Sequence, residues 1–324
     1  MRYGILSGIL WALSTVILGV ALGLTPFVDA PGAILFAAVV GAFLHDLFCA
    51  VWLWVYMGLK GRIADTLRAL RTKAGKVVIL GALLGGPLGM TGYVVAIDHI
   101  GPGYTAIISA FYPAFGTFLA FMLLKEKMTF KQLICLFVAL LGVMGMGYLS
   151  TAAGAGDAIG ATSQTTTRDV VLGLLGAALC VVGWGSEAVL CAWGMRTETV
   201  DNEVALHIRE TTSALVYAIA VLPLFGAWHF AATVAPSMPT FVVAGAALAG
   251  ATSYLFYYKA IAKIGAARGM ALNISYSVWA VVFGVVLLHV IPGPWELVCC
   301  AAVLVGTVLA ASDWNELFGR LSAR

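Results

Sequence analysis

Charged side chains are scarce in this sequence. They make up 10% of the 324 residues, where a soluble domain carries about 25%. With 62% hydrophobic residues, water is not the solvent for most of the chain, and a soluble enzyme is not expected. Metal-ligand spacing is missing too. The six cysteines (Cys49, Cys135, Cys180, Cys191, Cys299, Cys300) lie in or at the ends of apolar runs and read as small core residues, neither disulfides nor ligands. There is no His-Cys zinc pattern, no phosphate loop and no nucleophile elbow, so neither a metal nor a cofactor is expected. Polar low-complexity sequence is confined to Thr151–Arg168, which reads as an extracytoplasmic linker.

What is present is apolar sequence in long runs. Segments of about 18–26 residues, the length that crosses a bilayer, recur near 4–24, 32–57, 77–97, 104–124, 132–149, 170–190, 204–225, 239–258, 266–290 and 295–312. The pattern predicts an all-α polytopic membrane protein of ten spans. The first run lacks a small-residue cleavage site, and Trp11 and Ser14 mark one of its faces, so it is a span and not a leader. With the N-terminus in the cytoplasm, seventeen of the eighteen Lys and Arg fall on the inner side and Arg168 alone outside. That asymmetry predicts cytoplasmic termini at both ends. The 58–76 loop, with Ile63, Leu67 and Leu70 at helical spacing, is expected to lie on the inner leaflet. The tail Trp314–Arg324 is expected to do the same.

The chain also repeats itself. Ala96-Ile97-Asp98-His99-Ile100-Gly101 returns as Ala260-Ile261-Ala262-Lys263-Ile264-Gly265, an offset of 164 that also carries Tyr93 to Tyr257, Tyr112 to Tyr276 and Phe115 to Trp279. The predicted organisation is a first five-helix repeat over 1–149, a linker over 150–169, a second repeat over 170–313 and a tail over 314–324. Five is odd, so the second copy inserts upside down. Inverted repeats place a substrate site near the midplane at their interface and favour alternating access, which points to a transporter.

Within the sixth span, Val182-Gly183-Trp184-Gly185-Ser186-Glu187 sets a carboxylate and an indole in an otherwise apolar run. Trp184 and Glu187 are i and i+3 and share a face, which Cys180 and Cys191 extend. An ionisable residue at membrane depth costs a few kcal/mol and usually faces a cavity or a partner. The plainer alternative is a helix-packing Gly pair and a Glu tied to a buried Arg. His45, Asp46, Arg209 and Glu210 are the other such residues. His45 or Asp46 is either a relay or gate, or Asp46 pairs with Arg209 as a buried tie; the tie is preferred.

Several motifs carry a resemblance. The Gly-rich first span with its Trp, the fourth span (Ala-x-x-x-Ile-Gly, Tyr112-Pro113, Leu123-Leu-Lys-Glu-Lys-Met-Thr129) and the repeated five-span half resemble the drug/metabolite transporter superfamily of EamA type. Gly81–Met90, Trp184–Glu187, Ile208-Arg209 with Thr212-Ser213, Leu272–Trp279 and His45-Asp46 narrow it to LicB-like bacterial choline importers. The second half departs from the pattern at Ser277 and Val290, where the first has Pro113 and Glu126.

The resemblance implies import of choline or a similar quaternary ammonium across the bacterial cytoplasmic membrane. The partners expected are that small cation and the bilayer, with no nucleic acid, for a chain acting as a monomer. A quaternary ammonium offers no N–H donor, so ring faces must hold it. Trp11, Tyr93, Trp184, Tyr276 and Trp279 are the candidate box, with Tyr112 in line on the fourth span. Glu187 is the candidate counter-ion, and Asn273 or Ser186 would reach the hydroxyl. Each ring alone is better explained as core packing, and it is their coincidence with the repeat interface and a buried Glu that favours a site. A counter-ion of this kind implies uptake driven by membrane potential. The competing readings are an exporter of amino acids or drugs, and a membrane enzyme acting on lipid head groups.

Overall fold

The structure, a computed structural model, describes residues 1–29, 33–150, 167–289 and 291–312. Most of the expected linker and the tail after Ser312 lie outside the described residues. Among the described residues ten helices are long and apolar enough to cross a membrane: spans 1 to 10 are Arg2–Leu22, Phe36–Leu59, Lys73–Ile100, Ile107–Leu124, Phe130–Leu149, Val170–Gly194, Asn202–Phe225, Met238–Ile264, Ala266–Leu288 and Pro294–Ala311. In hydrocarbon every backbone N–H and C=O must be satisfied within the segment, and that selects helix for such runs. Spans 3 and 8 run further than their apolar stretches, because the helical ladder continues through Lys73 and Lys76, and through Lys259 and Lys263, to the polar boundary.

Small residues set the packing. Span 1 runs along span 8, where Ser253 Oγ donates to the Ser7 carbonyl at 2.8 Å. Span 6 runs along span 3, and there a Cβ added to Gly92 would meet the Gly176 carbonyl oxygen at 2.6 Å, with the reverse equally close. Only glycine at both positions lets the backbones approach so far. Span 1 also meets span 9 and span 6 meets span 4, span 2 meets span 7, and span 5 meets span 10. This set of neighbours is unchanged when each span is exchanged for the one five places along.

Spans 3, 4, 7 and 9 are irregular where it bears on the site. Span 3 carries a π-helical stretch, Leu84–Met90, around Pro87, which cannot donate to the α ladder. Span 7 has another at Tyr217–Val221. Span 4 breaks at 110–111 before restarting at Tyr112, and span 9 breaks at 274–275 before restarting at Tyr276. Spans 4 and 9 end on the left-handed residues Lys125 and His289, both at φ 56. These breaks and endings recur at the 164-residue offset.

The 58–76 loop forms a short helix, Ile63–Leu70, that is held to the protein as well as facing outward. Arg62 bonds Asp201 at 2.7 Å and Glu203 at 2.6 Å, Thr66 Oγ1 is 3.0 Å from His207 Nδ1, and Ala69 is fully buried, while Leu67 stays exposed. An expectation of simple surface lying missed these polar anchors, which come from span 7 and from Asp201, the residue that caps its start.

Candidate functional site

Two clusters meet on span 6, one turn apart. Trp184 belongs to the first. Its ring lies 5.3 Å from Tyr93, tilted by 34°, and 5.7 Å from Tyr112, edge-on at 89°. Tyr112 begins the helix after the span 4 break, and its hydroxyl accepts from Asn273 Nδ2 at 3.3 Å. Asn273, the last residue before the span 9 break, accepts in turn from Ser7 Oγ at 2.9 Å. Tyr276 restarts span 9 one turn after Asn273. Two phenol rings and an indole, from spans 3, 4 and 6, therefore gather, and Asn273 ties the span 9 break, with Tyr276 on its far side, to Tyr112. One turn beyond Tyr276, the Trp279 Nε1 is buried with no hydrogen-bond partner among the described residues.

Glu187 belongs to the second cluster. Its carboxylate accepts from Arg209 Nε at 2.9 Å and from the Tyr258 hydroxyl at 3.1 Å. It packs on span 3 at Gly85, where any Cβ would overlap it. Arg209 is buried. Its guanidinium carbon sits 4.7 Å from the Tyr254 ring centroid, and Nη2 donates to the Tyr254 hydroxyl at 3.2 Å. Nη1 lies 3.7 Å from Asp46 Oδ2, which accepts from Ser213 at 2.5 Å. Glu210 is fully buried with Oε1 2.9 Å from the same Nη1. The angles are not those of a hydrogen bond, and neither Glu210 oxygen has a hydrogen-bond partner among the described residues. Three carboxylates thus surround one guanidinium. His45 flanks them, 3.5 Å from Asp46 and 3.1 Å from Ser14 Oγ.

Set against the expected residues, Tyr93, Tyr112, Trp184, Asn273 and Tyr276 are brought together. Trp11 is not with them. It packs edge-on to Tyr254 at 4.9 Å and to His45 at 6.0 Å, beside the charges. Ser186 is buried, but about 100° around the helix from Glu187, off the Trp184–Glu187 stripe. Glu187 is not a lone carboxylate. The Asp46–Arg209 contact exists at 3.7 Å, but Glu187 holds the guanidinium more closely at 2.9 Å. Tyr254, Tyr258, Ser7 and the role of Glu210 escaped the sequence reading. Tyr254 and Tyr258 are i and i+4 on span 8, a spacing that carries a signal only once span 8 is known to face Arg209. Among the described residues no group of His, Cys, Asp and Glu is disposed to hold a metal ion.

The model of the EamA-like transporter family matches residues 2–148 and 171–312. The chain belongs to the EamA-like transporter family. It is also 30% identical over 208 residues to protein LicB of Haemophilus influenzae, an alignment that takes in 64% of this chain and 65% of that protein, just under two thirds of its length. A solved crystal structure superposes with a TM-score of 0.69 at 16% identity, covering 95% of this chain and 96% of its own. At that identity the likeness is one of fold. As an EamA-like transporter the chain is a multi-pass membrane protein, and its two clusters are the candidates for the substrate path.

Proposed function

We propose that this transporter imports choline or a similar quaternary ammonium by alternating access across a bacterial cytoplasmic membrane. The observation that carries the reading is the meeting of Tyr93, Tyr112 and Trp184, with Tyr276 one turn past the Asn273 that bonds Tyr112, one turn from a group of buried carboxylates that outnumber their cation. Ring faces attract a methylated ammonium by about 0.5–2 kcal/mol each, depending on desolvation. The surplus negative charge favours a cation over a neutral or anionic solute. The resemblance to choline importers points the same way.

The two halves, 1–149 and 170–313, are read as inverted repeats with both termini cytoplasmic. The exchangeable span neighbours and the paired breaks at 110–111 and 274–275 support this. An exporter of amino acids is less well served: a zwitterion needs a cation for its carboxylate, and Arg209 is already engaged by Glu187 and Tyr254. For the driving force, the surplus charge supports uptake of one positive charge down the membrane potential. A second reading, proton-coupled import, is favoured by the carboxylate of Glu210, which has no hydrogen-bond partner.

The test is the melting temperature of purified protein with choline, acetylcholine, betaine, ethanolamine and amino acids, since only ligands preferring the folded state raise it. Choline and acetylcholine should stabilise most. Stabilisation by amino acids alone would overturn the reading.

A further inference from the structure

We propose that the surface where the start of span 1 meets the end of span 8 binds the phosphate of an anionic phospholipid. Three cations converge there on one ring. Arg2 Cζ, Lys259 Nζ and Lys263 Nζ lie 5.1, 5.0 and 5.2 Å from the Tyr3 centroid. The ring is backed by Phe256, stacked at 6.1 Å and 16°, and Arg2 Nη2 donates to the Tyr3 hydroxyl at 3.4 Å. Lys259 and Lys263 are i and i+4 on one helix face, a like-charge spacing that is unfavourable by itself. A ring face attracts cations but does not neutralise them.

Five basic residues find carboxylates, Lys60, Arg62, Arg68, Arg196 and Arg209, and others such as Lys73, Lys125 and Arg268 do not among the described residues; what sets this surface apart is three cations around one ring. Among the described residues, Arg2, Lys259 and Lys263 take part in none of the ion pairs. Their charge is concentrated and lacks a counter-ion. Directly below it the surface turns apolar. Leu6, one turn deeper than Tyr3, is 39% exposed, and Leu248, three turns before Lys259 on the same face of span 8, is 48% exposed. A soluble anion would use the cations and leave this apolar strip bare. A phospholipid uses both, phosphate on the lysines and arginine, chain along Leu6 and Leu248. In the proposed orientation this is the inner leaflet. The site is separate from the aromatic cluster and does not depend on what the protein carries.

Native mass spectrometry of the full chain in detergent, titrated with phosphatidylglycerol or with phosphatidylcholine of the same acyl chains, tests it. The wild type should retain phosphatidylglycerol preferentially. Each cation removed should weaken that retention about fivefold, so Lys259→Gln with Lys263→Gln should nearly abolish the preference while leaving phosphatidylcholine retention unchanged. Arg2→Gln, at an exposed residue, supplies a second variant should the double one fold poorly, as judged by melting in lipid-free detergent. Glycerol phosphate in excess should fail to displace the lipid. Equal retention of the two lipids by the wild type, undiminished phosphatidylglycerol retention in the variants, or displacement by glycerol phosphate would each overturn the proposal.

Discussion

Trp184 touches tyrosines from two other spans, so it is the ring whose loss should be felt most. Trp184→Leu keeps an apolar side chain but removes the face shared by Tyr93 and Tyr112. If the ring stacks on the cation, the loss is roughly 1–2 kcal/mol, about 5–30-fold in Kd by isothermal titration. Tyr276→Leu should cost a similar amount. Wild-type affinity in both variants would move the cage elsewhere. Glu187 makes a sharper case. Its Gln variant still offers an oxygen to Arg209 Nε and Tyr258, so the fold should hold, but one negative charge leaves the site. Choline affinity should fall well beyond the affinity for its uncharged carbon isostere, measured side by side; an equal fall for both would assign Glu187 to architecture alone. The shared face of Trp184 and Glu187 was legible because i and i+3 is a local, helical fact. That Trp11 would lie beside Tyr254 and His45, apart from Trp184, was not, since it depends on which spans become neighbours.

The same limit shows among the elements. Span positions could be read from apolar length alone, since the bilayer leaves helix as the only choice. The breaks could not. Pro113 follows the first at 110–111, but Ser277 stands at the matching place after 274–275, so the two copies share no helix-breaking residue there. Asn273, Tyr276 and Trp279 fit an unbroken helix in sequence, and yet Asn273 closes one segment and Tyr276 opens the next. The π-helical stretch of span 3 is where element and site meet. Gly85 there has no room for a Cβ because Glu187 occupies it, whereas a Cβ on Gly245 of span 8 would meet nothing within 4 Å. Gly85→Ala should displace the carboxylate from Arg209 or push span 3 from span 6, an overpacking cost of about 1–3 kcal/mol. Its melting point and choline binding should both drop, with Gly245→Ala unchanged in both. Equal behaviour of the two alanine variants would show that span 3 gives way freely at this point.

At the scale of the molecule, two properties follow from charge. The first is orientation, for which the lopsided Lys and Arg distribution is the argument. A reporter active only in the cytoplasm should light up on the C-terminus, and a cysteine placed in 151–166 should label from outside; a silent reporter or a loop labelled only from inside rejects the topology. The second is the driving force. Asp46, Glu187 and Glu210 face one guanidinium, so the empty carrier has negative charge to spare even after Arg209 is counted. A monovalent cation entering it neutralises part of that surplus, and its passage inward is favoured by about 2.3 kcal/mol per 100 mV of inside-negative potential, roughly 50-fold in accumulation. No second ion is required by this ledger, although Glu210, without a hydrogen-bond donor, is the obvious place for a proton to sit. Liposomes separate the two. With a potassium-diffusion potential and no pH gradient, the logarithm of the choline accumulation ratio should rise in proportion to the potential, and Glu210→Gln should change that little. Uptake that ignores the potential but follows an inward proton gradient, and loses it in Glu210→Gln, would make the carrier proton-coupled and Glu210 its proton site.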